Sequence, residues 1–243
     1  MPRANRPLAN RPLANRPLAN RPLANRVTPF GQFEATPCRG LLIGNRGILH
    51  DDAGRIGTAR WRHPHWIACA LAFKGWRRKL LQPGTWTELF FLDEATALAA
   101  GHRPCALCRR ADYRRFRAAW QQGFALDSVP GADAMDRALH GARLDPATRR
   151  QARHERPLET LPDGTMIERE GRAWLVLDAR LLPWSHAGYG MPEARGTGSV
   201  SVITPAPSVA SLAAGYTPLL HPSAGLPKGR PATAAASDRA GRT

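Results

Sequence analysis

Of the four cysteines in this chain, two stand two residues apart in GHRPCALCRR, as Cys105 and Cys108. A Cys-x-x-Cys turn lets both sulfurs face one ion at about 2.3 Å, and a bound metal in turn holds them as thiolates. Redox pairs use the same spacing, but they sit after a strand at the start of a helix in a βαβ context. Here a helical stretch, EATALAA, precedes Cys105, which favours metal chemistry. Four cysteines in 243 residues are too few for a disulfide scaffold, so the expected setting is a reducing cytoplasm.

Further ligands to a tetrahedral ion have to come from other parts of the chain. Cys69 shares the Ile67, Leu71 and Phe73 face of an alternating run, where the rival reading is an inert core thiol. His50 closes an apolar run beside Asp51 and Asp52, whose carboxylates could orient its ring. Cys38 lies in the loop TPCRG, and His102 flanks Cys105. His63 and His65 share one side of RWRHPHW, a segment that reads more simply as an exposed basic turn. The order of preference is Cys69, His50, Cys38, then His102. The expected Zn2+ set is therefore Cys105, Cys108, Cys69 and His50, a filled tetrahedron with no position for water and hence a structural site.

These residues need elements to hold them, and the pattern gives an α+β chain. From Phe30 to Phe91 the texture is that of strands and turns. RGLLIGNRGILH places two apolar runs around Gly44–Gly47, and KGWRRKLLQPGTWTELFFL reads as turn, strand, Pro-Gly turn, strand. Asp93 is placed to cap EATALAA, and Gly101 to end it in the left-handed conformation. After the cysteine pair, Leu107, Tyr113, Phe116 and Trp120 form an apolar stripe on a helix. A polar helical segment leads to RRQARHERP, then AWLVLDARLL and SVSVIT read as strands and PSVASLAAG as a short helix. The corresponding division is a zinc-stabilised β-rich module over 27–122, a linker or helical segment over 123–160, and a β-rich region over 161–221.

Both ends look disordered. Residues 1–26 are built on PLANR, whose leucine returns every fifth position and matches neither helix nor strand, and each proline removes a donor. Ordinary sequence begins near Val27. The tail over 222–243 is rich in Ala, Pro, Gly and Ser.

With these elements in place, Glu88 to Asp112, ELFFLDEATALAAGHRPCALCRRAD, resembles the second half of the Ada-type metal-binding domain. Gly101, Arg103, Pro104, Cys105 and Cys108 carry the likeness, over about a tenth of the chain. The resemblance implies zinc on Cys105 and Cys108, with two further cysteines from an upstream pair. That closely spaced pair, one member of which accepts a methyl group in the repair protein, has no counterpart here, because Cys38 and Cys69 are far apart. Methyl transfer is not carried over.

The formal charge is +16, with 35 Lys and Arg against 19 Asp and Glu, which suits a phosphate-rich partner such as DNA or RNA. Arg109, Arg110, Arg114 and Arg115 are the residues expected to grip phosphates, with Tyr113, Trp120 or Trp61 for stacking; a solvated helix face is the alternative. LLPWSHAGYGMP reads as a pocket rim around Trp184, Ser185, His186 and Tyr189. No GxxxxGK, GxSxG or HExxH occurs, so enzyme chemistry has no motif behind it. The competing readings are a nuclease-like metal-dependent hydrolase using His50, Asp51 and Asp52, and a metal-free interaction domain. No run approaches the roughly 20 apolar residues that span a bilayer, and no membrane partner is expected.

Overall fold

Asp93 fixes the start of a helix that both sheets of the molecule share. In the computed structural model, which describes residues 22–75 and 79–225, Asp93 Oδ1 accepts the Thr96 N–H at 2.9 Å and its hydroxyl at 2.8 Å. The helix α1 (Glu94–Ala99) stops at Gly101, whose φ of +84° is the left-handed value. All six residues of α1 are buried, and its two polar side chains, Glu94 and Thr96, are hydrogen-bonded inside the protein. Ala97 and Ala100 pack on Val27, Leu42, Leu89 and Phe91, while Ala95 and Ala99 pack on Met166, Leu175, Leu182 and Ile203.

The first sheet is mixed and has six strands: β1 (Arg26–Val27), β2 (Phe33–Glu34), β3 (Leu42–Asn45), β4 (Ile67–Ala70), β5 (Leu89–Phe91) and β6 (Arg103–Pro104), in the order β2-β1-β5-β3-β4-β6. Its parallel pairs are β1 with β5 and β4 with β6. Two helices follow, α2 (Arg110–Gly123) and α3 (Ala132–Arg143). The second sheet is antiparallel, built from β7 (His154–Pro157), β8 (Met166–Arg169), β9 (Arg172–Leu177), β10 (Arg180–Ser185), β11 (Gly188–Tyr189), β12 (Glu193–Ala194) and β13 (Ser199–Val202). The helix α4 (Ala206–Ala213) closes the order. Among the described residues no helix is long and apolar enough to cross a membrane.

The α+β class holds, and packing runs across the segments proposed from sequence. Leu98, Phe116 and Trp120 share a core with Met135 and Leu139 of α3 and with Leu212 and Tyr216. Several local expectations need correction. Ile48–His50 forms no strand beyond a single bridge from His50 to Ile56, because β3 takes β4 as its partner instead. Leu80–Trp86 is turn and coil, with Leu81 at a φ of +53°. AWLVLDARLL is two strands, broken where Asp178 takes a φ of +53°. Leu107 precedes α2 and is 58% exposed rather than part of the stripe.

Residues 22–26 and 222–225, assigned to the tails by composition, take part in the fold. Residues 1–21 and 226–243 lie outside the described residues, but Asn25 is fully buried and its Nδ2 donates to the Glu88 carbonyl at 2.9 Å. Arg26 enters the sheet beside Phe90. Pro222–Ala224 is a 3-10 turn, and Ser223 Oγ accepts the Tyr189 N–H at 2.8 Å.

Candidate metal centre

Sheet register brings Cys69 to the cysteine pair. The parallel pairing of β4 with β6 sets Ile67 opposite Arg103 and Ala68 opposite Pro104, so the next step along each strand places Cys69 beside Cys105. The Cys105 N–H donates to the Ala68 carbonyl at 3.0 Å. A turn then carries the chain to Cys108, closed by the Arg109 N–H on the Cys105 carbonyl at 3.2 Å. The three sulfurs lie within 4.8 Å of one another. Three thiolates on one tetrahedral zinc would be about 3.8 Å apart, given Zn–S bonds of roughly 2.3 Å, so the set fits a metal of that size.

The electrostatics of the trio ask for a cation. Thiol hydrogen bonds from Cys108 and Cys69, helped by the Cys108 and Leu107 backbone N–H groups, pull Cys105 down to about 2. The hydrogen bond to Cys105 then holds Cys108 up, and hydrogen bonds to both neighbours together with burial hold Cys69 up. A thiolate at Cys105 is thus favoured over the other two, and a bound cation would favour the thiolate form of all three. The Ala70 N–H on Cys108 Sγ at 3.3 Å and the Leu107 N–H on Cys105 Sγ at 3.4 Å support negative sulfur.

The fourth position has no protein donor among the described residues, which hold every cysteine and histidine of the chain. His50, the expected fourth ligand, is tied down elsewhere: Nδ1 meets Thr87 Oγ1 at 2.7 Å and Nε2 the Gln82 carbonyl at 3.1 Å. Both ring nitrogens are therefore engaged in bracing β5's approach. His102 is fully buried and accepts from Arg46 Nε through Nε2. Cys38 is half-buried outside the trio. The trio opens instead onto a cavity of about 300 Å3 lined by Ile43, Ile67, Phe73, Leu80, Trp86 and Phe90. The face carrying Cys69 is the wall of this cavity, with Leu71 51% exposed, so the core-thiol reading does not describe it. The buried face of β4 is the one carrying Ala68.

Other expected residues have structural work. The Asp51 carboxylate caps a turn, accepting the Ala53 and Arg55 N–H groups and the Arg55 side chain. It forms no metal-holding group with His50 and Asp52 among the described residues, so the hydrolase alternative loses its site. Of the helix arginines, Arg109 is 6% exposed and bound to Glu94 and Asp112. Burial works against its charge, but Glu94 more than offsets this and holds its pKa above the ordinary value. Arg109 is thus an internal tie rather than a phosphate contact. Arg115 is exposed but paired with Asp112, while Arg110 and Arg114 are exposed. Of the expected rim, Tyr189 is buried, its hydroxyl donating to Asp93 Oδ2 at 2.7 Å, whereas Trp184 donates Nε1 to Thr96 Oγ1 at 3.0 Å and lines an open groove with Phe30 and Glu34.

His65, weighed from sequence together with His63, comes within coordinating distance of Asp133 and Asp136, two residues that sequence reasoning overlooked. Asp136 is already neutralised, with Arg103 Nε on one oxygen and Nη2 on the other, both at 2.7 Å. His65 is half-exposed and adds a 2.8 Å contact to the same carboxylate. This group is an ion-pair cluster fastening α3 to the first sheet.

No protein-family description, curated protein or solved structure matches the chain.

Proposed function

We propose that this chain is a zinc-binding protein that contacts nucleic acid, with zinc held by Cys69, Cys105 and Cys108. The observation that carries the reading is the convergence of three sulfurs, brought within 4.8 Å of one another by the pairing of β4 with β6 and the turn that follows. Thiolate ligands select soft or borderline ions, and Zn2+ is the common tetrahedral choice. The Ada-type likeness over 88–112 supports zinc on Cys105 and Cys108. Bound there, zinc supplies a Lewis-acidic charge and ties β4 to the turn before α2.

In place of the filled tetrahedron expected from sequence, three protein ligands would hold the ion. Such a set would keep one position for a donor from outside the chain, and the trio opens onto the apolar cavity. The nucleic-acid part of the reading rests on the +16 charge of the chain.

The test is metal analysis of the purified full chain. The expected result is about one zinc per chain, lost in Cys69→Ser, Cys105→Ser and Cys108→Ser, with a lower melting temperature each time. Wild-type protein that is folded and metal-free, with zinc failing to raise its melting temperature, would overturn the reading.

A further inference from the structure

On the side of the first sheet opposite the thiolate cavity, six arginines line one groove. It has a volume of about 680 Å3 and is walled by Arg46, Arg60, Arg143, Arg149, Arg150 and Arg153, with Glu34 as its sole acidic residue. Two of these guanidiniums are buried, Arg46 at 2% and Arg143 at 1% exposure. Both lie within 4.0 Å of the Trp66 ring centre. Among the described residues neither has a carboxylate within ion-pair distance, and neither do Arg60, Arg149 and Arg150. Arg153 pairs with Glu168, and Glu34 is engaged by His186 at 2.8 Å.

A buried guanidinium without a counter-ion is costly, and two adjacent ones cost more. Their hydrogen bonds go to backbone carbonyls and histidine rings: Arg46 to Gly31, Ala100 and His102, Arg143 to Gly101, Pro64 and His140. Arg143 Nε is buried with no partner at all. The strain shows in their proton affinity. Burial, reinforced by Arg143, holds Arg46 well below the ordinary guanidinium value, and burial lowers Arg143 to about 9 although the Asp136 carboxylate opposes the fall. A guanidinium keeps its proton in proteins, so both project a positive potential into the groove.

Aromatic rings are interleaved with these charges. Arg149 lies 4.8 Å from the Trp61 ring centre, Arg60 5.1 Å from that of Phe33, and Arg153 5.2 Å from that of Phe30. Stacking keeps guanidiniums planar and placed, and the same rings can receive a nucleobase. Flat rings beside uncompensated, fork-shaped cations match one chemistry: a phosphate ester that carries a base.

We infer that this groove binds such a phosphate ester, with Arg60, Arg149 and Arg150 on the phosphate oxygens, Arg46 and Arg143 supplying the field, and Trp61 beside the base. For a strand this rests on the nucleic-acid reading above, and moves the contact from α2 to the groove. A free nucleotide presents the same groups.

The experiment measures anisotropy of a labelled oligothymidylate of about 12 nucleotides against full-length protein over a range of salt. Binding should weaken linearly in log–log form. The double variant Arg149→Ala/Arg150→Ala should bind about tenfold more weakly with a salt slope smaller by about 1.5, and Trp61→Ala about fivefold more weakly. Arg110→Ala/Arg114→Ala should change neither. Thermal melts confirm that each variant is folded. Displacement of the strand by AMP at equal concentration supports the groove and assigns it to free nucleotides, and the nucleic-acid reading alone then fails. If the α2 variant loses binding while the groove variants keep it, the groove assignment is overturned with the nucleic-acid reading intact. If neither oligothymidylate nor AMP binds, both are overturned.

Discussion

Asn45 and Ile67 face each other across β3 and β4 and line the thiolate cavity, while their chain neighbours Arg46 and Trp66 line the arginine groove. Strand alternation thus divides two unlike sites across one sheet end. The thiolate corner has apolar walls around three clustered sulfurs. The groove has arginines that, Arg153 apart, have no carboxylate within ion-pair distance among the described residues. A third region, around the start of α1, is as polar as either and wholly self-contained. There Asp93 accepts from Thr96, Tyr189 and His221, and Glu94 from Arg109, Tyr216 and Leu219. The contrast separates architecture from recognition: buried charge that finds its partner inside the chain builds the fold, and buried charge that does not points outward to a ligand.

The sharpest test of that division is Glu94→Gln. It leaves Arg109 buried with only the half-exposed Asp112, and breaking a buried ion pair costs about 3 kcal/mol or more. Urea denaturation should show that loss while zinc stoichiometry stays unchanged. Loss of zinc along with stability would show that the α1 hub and the thiolate corner are one unit, and the comparison would fail.

A middle-sized effect belongs to His102. Burial, then Arg46 and Arg143, depress its pKa well below the usual imidazole value. The folded state therefore holds it neutral, and the stability this gives is complete above the unfolded pKa of about 6.5 and falls as the pH drops beneath it. The slope for one proton is about 1.4 kcal/mol per pH unit. Denaturation between pH 5 and 7 should show it, flattened in His102→Gln. An unchanged slope in that variant would assign the proton uptake elsewhere, with His63 and His140 next in line, since burial lowers both.

Smaller still, Arg149→Ala and Arg150→Ala should move the melting temperature by less than about 2 °C, because recognition arginines on the rim hold nothing together. Cys38→Ala should change neither metal content nor stability, since Cys38 stands outside the trio. A zinc deficit in Cys38→Ala would mean that the fourth ligand is a protein thiol after all.

Local chemistry was the legible part of this sequence. The Asp93 cap, the Gly101 stop and the Cys105–Cys108 turn are all short-range features whose residues dictate their own geometry. Cys69 could be ranked first among the remaining ligands, but alternation alone could not say whether its face was core or cavity. That depends on β6, a strand of two residues with no pattern to read. His50 misled for the converse reason: its neighbours Asp51 and Asp52 suggested a carboxylate-oriented ligand, whereas Thr87 and Gln82, more than thirty residues away, decide its role. The groove could not be assembled from spacing at all. Its arginines are scattered from 46 to 153, and the only local hint was the run RRQARHERP, which reads as an exposed helix end.

Asn25 and Arg26 carry a last implication. Their place is earned by residues beyond the repeat, where β5 meets the incoming chain, yet they are the closing pair of a PLANR unit. The preceding unit ends in the same pair, Asn20 and Arg21. Excising 22–26 would slide that pair into the vacated position with identical side chains, and inserting a unit would do the same from the other direction. The side chains that the sheet meets at this position are therefore the same whichever whole unit closes the tract.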